Sequence, residues 1–342
     1  MGQKRLWLVL VLSMVVASFL ATPVMAANPI KWKIQTYWSP VEESYKAFAD
    51  ACKRVKVLTN GRMEIAPYPG GAIIPDFEAL EAVQNNILQG MYTWAGYWAG
   101  KEPAFAPLTD FVCGYRNVWE LSGFMYYKGG LDMLNELYKP FGLYTIAVAS
   151  WGVENFVSKY PIRRIEDFKG HKFRAPHGIT AEILAELGAG VVVLPGTEVY
   201  SALDKGVIDG MDWATVSMNH RMGFHEIAKY YIDPGIHSLG VNDLTVNLKE
   251  WNKLPKDIQE ILKINFRAMA VEKLERIYID CVKARNEVAE MGGTAITWTP
   301  EERARLLKVA QKVWKKWADK SPKAKKVVDA HRAWVKDLGY ID

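Results

Sequence analysis

Cysteine is scarce: the chain has three in 342 residues, Cys52, Cys113 and Cys281. None stands in a C-x-x-C pair, so a thiolate zinc site or redox centre has no support, and an odd number leaves at least one thiol unpaired. Cys52 and Cys281 lie in helical patterns and read as small apolar fillers. Low-complexity tracts and long blocks of like charge are missing, which excludes a disordered or fibrous chain. Beyond residue 26 no apolar run approaches membrane length. Catalytic signatures are missing too. "VASWG" (Val148 to Gly152) lacks the first glycine of G-x-S-x-G, and "HEIAK" (His225 to Lys229) lacks the second histidine of a zinc helix. "GAGVVV" (Gly188 to Val193) lacks the third glycine of a dinucleotide loop and precedes a strand instead of following one. There is no P-loop. No set of nucleophile, base and orienting group emerges, which argues against an enzyme. No strongly basic face suits a phosphate backbone, so nucleic acid is not indicated.

What is present is globular. Half the residues are apolar and 24% are charged, and the length suits two domains. The first 26 residues differ from the rest. Lys4 and Arg5 precede an uncharged run from Leu6 to Met25, and Val24-Met25-Ala26 offers the compact residues a signal peptidase reads. Residues 1–26 therefore read as a cleaved secretory signal rather than an anchor. Cleavage removes two positive charges and takes the formal net charge from +5 to +3. The basic stretch "KKWADKSPKAKK" (Lys315 to Lys326) is preceded by Val313 and Trp314 and contains Trp317; their helical spacing gives its first part an amphipathic pattern, and the charges read as a solvated helix face.

Strands and helices alternate. "IKWKIQTYW" is a strand. "VEESYKAFADACKRVKVLTNG" is a helix stopped by Asn60-Gly61. "RMEIAPYPGG" is a strand, "IPDFEALEAVQNN" a helix and "ILQGMYTWAG" a strand. The second half repeats the order through "HKFRAP", the helix "GITAEILAELG", "AGVVVLP" as a buried strand, a helix with Thr197 as N-cap, and "VIDGMDWAT". "VQNNILQGMYTWAG" (Val83 to Gly96) and "LDKGVIDGMDWAT" (Leu203 to Thr215) share one pattern, apolar-x-x-x-[IV]-[IL]-[QD]-Gly-Met, and both run on to a tryptophan. The fold class is α/β with two lobes, each a mostly parallel sheet flanked by helices, facing each other across a cleft. Residues 27–150 form mainly the first lobe and 151–245 mainly the second. Residues 246–342 form C-terminal helices bracing both, one of them very long and also suited to a dimer surface.

Ligands bind at the carboxyl ends of strands in such sheets. Arg174 lies within the strand "KFRAP", and its guanidinium is a fork for carboxylate. Asp212 and Trp213 follow the second glycine strand and can hold a cation and stack on a ligand. Trp38, Trp94, Tyr97 and Trp98 fall at strand ends of the first lobe. Glu154 and Asn155 open the strand that enters the second. His171, His177 and His237 have no metal-ligand spacing and read as structural.

The run "EDFKGHKFRAPHGITAEILAELGAGVVVLPGTEVYSALDKGVIDGMDW" resembles the core of the DctP-type solute-binding proteins of tripartite ATP-independent periplasmic (TRAP) transporters. "YWAGKEPAFAP" and "AKYYIDPGIHS" are similar to that family as well, and the likeness covers Ile30 to the C-terminus. It is greatest to the branch that binds 2-oxo or 2-hydroxy monocarboxylates with a cation. The resemblance implies a periplasmic binding protein fold, a hinge crossed by more than one strand, and a periplasmic location. It implies closure on a carboxylate held by Arg174 and delivery to small and large membrane subunits. Substrate contacts would come from Trp213, Glu154, Asn155, Tyr97, Trp38, Trp94 and Ser238. A Ca²⁺ or Na⁺ ion would be held by Asp212, Trp213, Glu154 and Ser238. Asp212 stands where glutamate is common, and Ser238 where an acidic or amide residue is common. The rival readings are an exported enzyme acting on small organic acids and a module presenting ligand to a sensor.

Overall fold

The computed structural model describes residues 28–176, 178–194 and 198–342. The signal segment, His177 and the N-cap expected at Thr197 lie outside the described residues. Eleven strands are described: β1 (Ile30–Thr36), β2 (Met63–Tyr68), β3 (Gly90–Thr93), β4 (Leu143–Ser150), β5 (Val157–Ser158), β6 (Lys172–Ala175), β7 (Gly190–Val193), β8 (Gly210–Met211), β9 (Tyr230–Ile232), β10 (Val241–Asn247) and β11 (Thr294–Ile296). They form two sheets, ordered β2-β1-β3-β10-β4 and β11-β9-β5-β8-β6-β7.

Each sheet has one strand running against the others. β10 is antiparallel to β3 and β4, and β5 is antiparallel to β8 and β9. Laid side by side, β2-β1-β3-β10-β4 corresponds to β7-β6-β8-β5-β9. The two lobes thus share one plan, and each receives its odd strand from the far side of a crossing. The chain passes from β4 to β5 through residues 151–156 and returns from β9 to β10 through 233–240.

This plan explains the repeated glycine. Gly90 sits in β3 against β10, and a Cβ there would stand 2.8 Å from the Val246 side chain and 3.1 Å from the Thr245 carbonyl oxygen. Gly210 sits in β8 against β5, and a Cβ there would stand 2.9 Å from the Val157 carbonyl oxygen and 2.4 Å from the Phe173 ring. In both lobes glycine lets the antiparallel strand approach. Gly210→Ala is expected to destabilise the protein by about 1–3 kcal/mol through overpacking. Urea unfolding checks this; an unmoved midpoint would show that β5 can shift without cost.

The helices follow their local signals. Helix Glu43–Leu58 ends where Asn60 and Gly61 turn left-handed, with φ of 54° and 75°. Helix Pro300–Ala318 starts from Thr299, whose hydroxyl accepts from the Glu302 N–H. Helix Pro322–Asp337 starts from Ser321, whose hydroxyl accepts from the Ala324 N–H. Helix Lys256–Glu290 has 35 residues. It packs on helix Glu43–Leu58 and β4 in its first part and on helix Val216–Arg221 further on. Ion pairs follow the same division: Arg54–Glu272 and Arg276–Asp50 on one side, Arg285–Asp233 on the other.

Three features depart from the sequence reading. β7 is an edge strand with exposed and half-buried residues, not a buried one, because only β6 pairs with it. Residues 105–138 carry three helices, Phe105–Thr109, Val118–Tyr127 and Gly130–Tyr138, which the alternating pattern did not announce. The fully buried strand β10 was not announced either. No helix among the described residues is long and apolar enough to cross a membrane.

Candidate functional site

The two crossings bring the site together. They lie against each other so closely that a Cβ on Gly235 would stand 1.9 Å from the Glu154 carbonyl oxygen, and the Glu154 N–H donates to the Ser238 carbonyl at 3.0 Å. β8 ends beside them. The Asp212 N–H donates to the Arg174 carbonyl, so β6 and β8 deliver Arg174 and Asp212 to neighbouring places.

Arg174 is 6% exposed. Its Nε and Nη2 donate to the Leu194 carbonyl at 3.1 and 3.0 Å, and its Nη1 donates to the Asp212 carbonyl at 2.6 Å. A guanidinium carries five N–H donors. Three are fixed on backbone, and the two that remain are one on each terminal nitrogen. The Trp213 ring lies 5.1 Å from the guanidinium carbon. Burial lowers the Arg174 pKa from its ordinary value, and Asp212, Glu154 and Tyr97 counteract it.

Glu154, Asp212 and His237 are buried with donor atoms that all lie within 4.8 Å of one another. His237 Nε2 stands 2.7 Å from Asp212 Oδ1 and 3.7 Å from Glu154 Oε2. Its ring stacks on Phe156 at 3.8 Å, and its Nδ1 is buried without a partner. Burial and the nearby Asp212 charge push the Glu154 carboxyl well above the usual range. Burial also pushes Asp212 up, but His237, Glu154 and Arg174 outweigh it and hold its carboxylate below the ordinary value. Two buried carboxylates that repel each other are a fit for a hard cation, which takes oxygen ligands. The His237 Nε2 faces both carboxylates, so it could orient Asp212 or itself join them as a ligand.

The remaining residues divide. Tyr97 joins the site from the first lobe, and its hydroxyl, pushed up to about 12 by burial and Asp76, is drawn down by Arg174. Tyr97 meets Trp94 and Tyr37 edge-on at 5.4 and 5.8 Å, and Tyr37 stacks on Trp38 at 4.4 Å. Trp38 and Trp94 thus stand behind Tyr97. Asn155 turns away: its amide donates to the Ile232 carbonyl and to Asp233, tying the crossing to β9. The Ser238 hydroxyl donates to Asp110 at 2.7 Å. Trp98 is a core residue whose indole donates to Tyr138.

His237 and Asp110 escaped the sequence reading. Ligand spacing along the chain does not single out His237, because its partners come from the end of β8 and from the first crossing. Burial pushes the Asp110 carboxyl up to about 7 against the Ser238 hydroxyl, and no local motif marks it. His171 stacks on Tyr160 at 4.3 Å, apart from the cluster. Cys52 and Cys281 are buried and unbridged.

Comparison with known proteins places this geometry. Residues 34–321 match the family described as DctP, bacterial extracellular solute-binding protein, family 7. A monocarboxylate 2-oxoacid-binding periplasmic protein of Nostoc sp. is 34% identical over 236 residues, which is 68% of this chain and 64% of that protein. A TRAP periplasmic solute-binding protein from Rhodobacter sphaeroides, solved in an apo open form, is 32% identical with a TM-score of 0.79, covering 91% of this chain and 99% of that one. A TRAP transporter solute-binding protein from Bordetella bronchiseptica is 25% identical with a TM-score of 0.83, covering 92% of this chain and 94% of that one. That structure is a mixed-occupancy dimer, with copurified calcium and picolinate in one active site and the other apo.

Proposed function

Because this chain belongs to family 7 of the bacterial extracellular solute-binding proteins, the DctP family, we propose that it is the periplasmic solute-capturing subunit of a TRAP transporter. Its cargo is a small 2-oxo or 2-hydroxy carboxylate, taken with a calcium or sodium ion and handed to small and large membrane subunits. The observation that carries this reading is the Arg174 guanidinium: buried, fixed by three backbone bonds, with one free N–H on each terminal nitrogen. That arrangement is a two-pronged donor for a carboxylate.

The open cleft admits the anion, and its carboxylate meets Arg174. Trp213 lies alongside the guanidinium and covers one side of the ligand. Glu154, Asp212 and the Trp213 backbone would hold the cation, which supplies positive charge to the 2-oxo or 2-hydroxy oxygen. Closure brings Tyr97 over the ligand and excludes water, which strengthens the ion pair. Ligand favours the closed form only through contacts that the open form lacks. The calcium and picolinate of the Bordetella protein support the pairing of anion and cation, and the 2-oxoacid binding of the Nostoc protein supports the anion. The Bordetella dimer supports pairing of two copies as well.

A thermal-shift screen of small organic acids on the chain from residue 27 tests this. Pyruvate-like or lactate-like acids at a hundred times Kd are expected to add about 2.7 kcal/mol of stability, and chelator is expected to reduce the shift. A screen in which no carboxylate moves Tm would sink the proposal. Chemical turnover of a bound acid would favour the enzyme reading, and capture of a receptor kinase in place of membrane subunits would favour the sensor reading.

A further inference from the structure

Lys273 stands in the middle of helix Lys256–Glu290 and is wholly buried. Lysine is seldom buried without a carboxylate to answer it. Here all three partners are neutral. Nζ lies 3.0 Å from the Tyr92 hydroxyl, 3.0 Å from Asn242 Oδ1 and 3.3 Å from the Ala149 carbonyl oxygen. Those residues belong to β3, β10 and β4, and Ala149 and Asn242 stand close to the two crossings. The Asn242 amide in turn donates to the Tyr37 hydroxyl at 2.6 Å. Tyr37 meets Tyr97 edge-on at 5.8 Å, and Tyr97 is within reach of the Arg174 charge. The Lys273 head thus lies two hydrogen bonds behind the first-lobe wall of the cleft.

The charged groups on the elements packed around it are answered by others. On helix Glu43–Leu58, Glu43 pairs with Lys46, Asp50 with Lys53 and Arg276, and Arg54 with Glu272. On helix Val216–Arg221, His220 pairs with Glu287 and Arg221 with Asp280. On β10, Asp243 accepts from Tyr138 and Thr245. β3 and β4 bring the phenols Tyr92 and Tyr144, and Cys52 is a buried thiol. Burial, opposed by no neighbouring charge, lowers the Lys273 pKa to about 7. The contacts suit either form. The Ala149 carbonyl and Asn242 Oδ1 only accept, whereas the Tyr92 hydroxyl can accept or donate. An ammonium donates to all three. An amine donates to the two carbonyls and accepts from Tyr92. A proton can come and go on Nζ without repacking.

We propose that Lys273 is the first lobe's counter-charge to the bound anion: closure on a carboxylate draws a proton from solvent onto its Nζ, and capture is coupled to that proton. Lys273 acts through its field and through the Asn242–Tyr37 chain, without touching the ligand. This inference rests on the carboxylate-binding reading above and adds its regulation by pH. An anion in a closed, dry cleft favours the ammonium over the amine. The linkage is reciprocal, so the ammonium form binds the anion more tightly. The gain is full below about pH 7, where Lys273 is already charged in the free protein, and is lost as the pH rises through the higher pKa of the bound form.

Isothermal titration of the chain from residue 27 with pyruvate and with lactate, under saturating calcium, tests this. Runs at about pH 7.5 in buffers of different ionisation heat count the protons taken up on binding. Wild type is expected to take up about a third to a half of a proton more than Lys273→Met. Between about pH 6.5 and 9 its affinity is expected to fall about three- to tenfold more than that of the variant. Asn242→Asp places a carboxylate on the ammonium, which then stays charged with or without anion, so the extra uptake is expected to vanish there too. Equal uptake in wild type and either folded variant would overturn the inference and leave the carboxylate site standing. So would a wild-type affinity that does not fall across that pH range, a result independent of how the variants fold. Failure of both acids to bind the wild-type protein would remove the carboxylate reading and this inference together.

Discussion

Arg174→Lys is expected to weaken carboxylate binding by about a hundredfold or more. The reason lies in the number and direction of donors, not in charge. Arginine here satisfies the Leu194 carbonyl twice and the Asp212 carbonyl once before it meets any ligand. An ammonium has three donors on one atom. To reach a ligand it must abandon those carbonyls, and to keep them it must turn from the ligand. Either way a buried acceptor is left unpaired. The shorter head also loses the planar contact with Trp213. Isothermal titration with a 2-oxo acid checks the result, alongside a urea melt that separates lost affinity from lost stability. Wild-type affinity in a folded Lys variant would remove Arg174 from the site.

The fold was legible where local chemistry and tertiary position agree. Alternating strands and helices, the Asn60-Gly61 stop and the Thr299 cap need only neighbours a few residues away, and the helix ends fall where those signals put them. The glycine echo was legible as a repeat. Its cause was not, because the strands that crowd Gly90 and Gly210 arrive from the opposite lobe. β10 was illegible for a related reason. "VNDLTVN" reads as polar, yet every residue is buried. Asp243 Oδ2 accepts from Tyr138 and Thr245, and Thr245 pairs with Thr145; Tyr138 and Thr145 lie far outside any local window of sequence. β7 shows the reverse error: a run of valines reads as interior but occupies a sheet edge.

The site divides in the same way. Arg174, Asp212 and Trp213 follow their glycine strand and "DFKG" signals and stand within contact of one another. His237 is illegible in any motif along the chain, because this ring meets Asp212 across 25 residues and Glu154 in the other crossing. Asn155 carries the side chain expected of a ligand contact and uses it instead to tie a crossing strand to β9. Neighbouring positions on an extended segment face opposite ways. Glu154 turns to the cluster, so Asn155 turns from it.

The carboxylate pair supplies the second large effect. Glu154 and Asp212 repel each other in a buried place, and Glu154 answers by holding its proton far above the usual range. A cation that replaces that proton relieves the repulsion, so calcium is expected to stabilise the ligand-free protein. At a hundred times its Kd the gain is about 2.7 kcal/mol, or about 4 °C in Tm. The two carboxylates should not contribute equally. Asp212 carries the settled negative charge, kept ionised by His237 and Arg174. Asp212→Asn preserves shape and an oxygen facing His237 but removes that charge, and the calcium shift is expected to vanish. Glu154→Gln keeps an amide oxygen and removes a carboxyl whose ionisation burial and the Asp212 charge oppose, so part of the shift is expected to survive. Differential scanning fluorimetry with calcium and then chelator separates the three proteins. Equal shifts in wild type and Asp212→Asn would place the calcium elsewhere. A total loss in Glu154→Gln with none in Asp212→Asn would reverse the roles of the pair and leave His237 as a partner to a carboxylate that holds no ion.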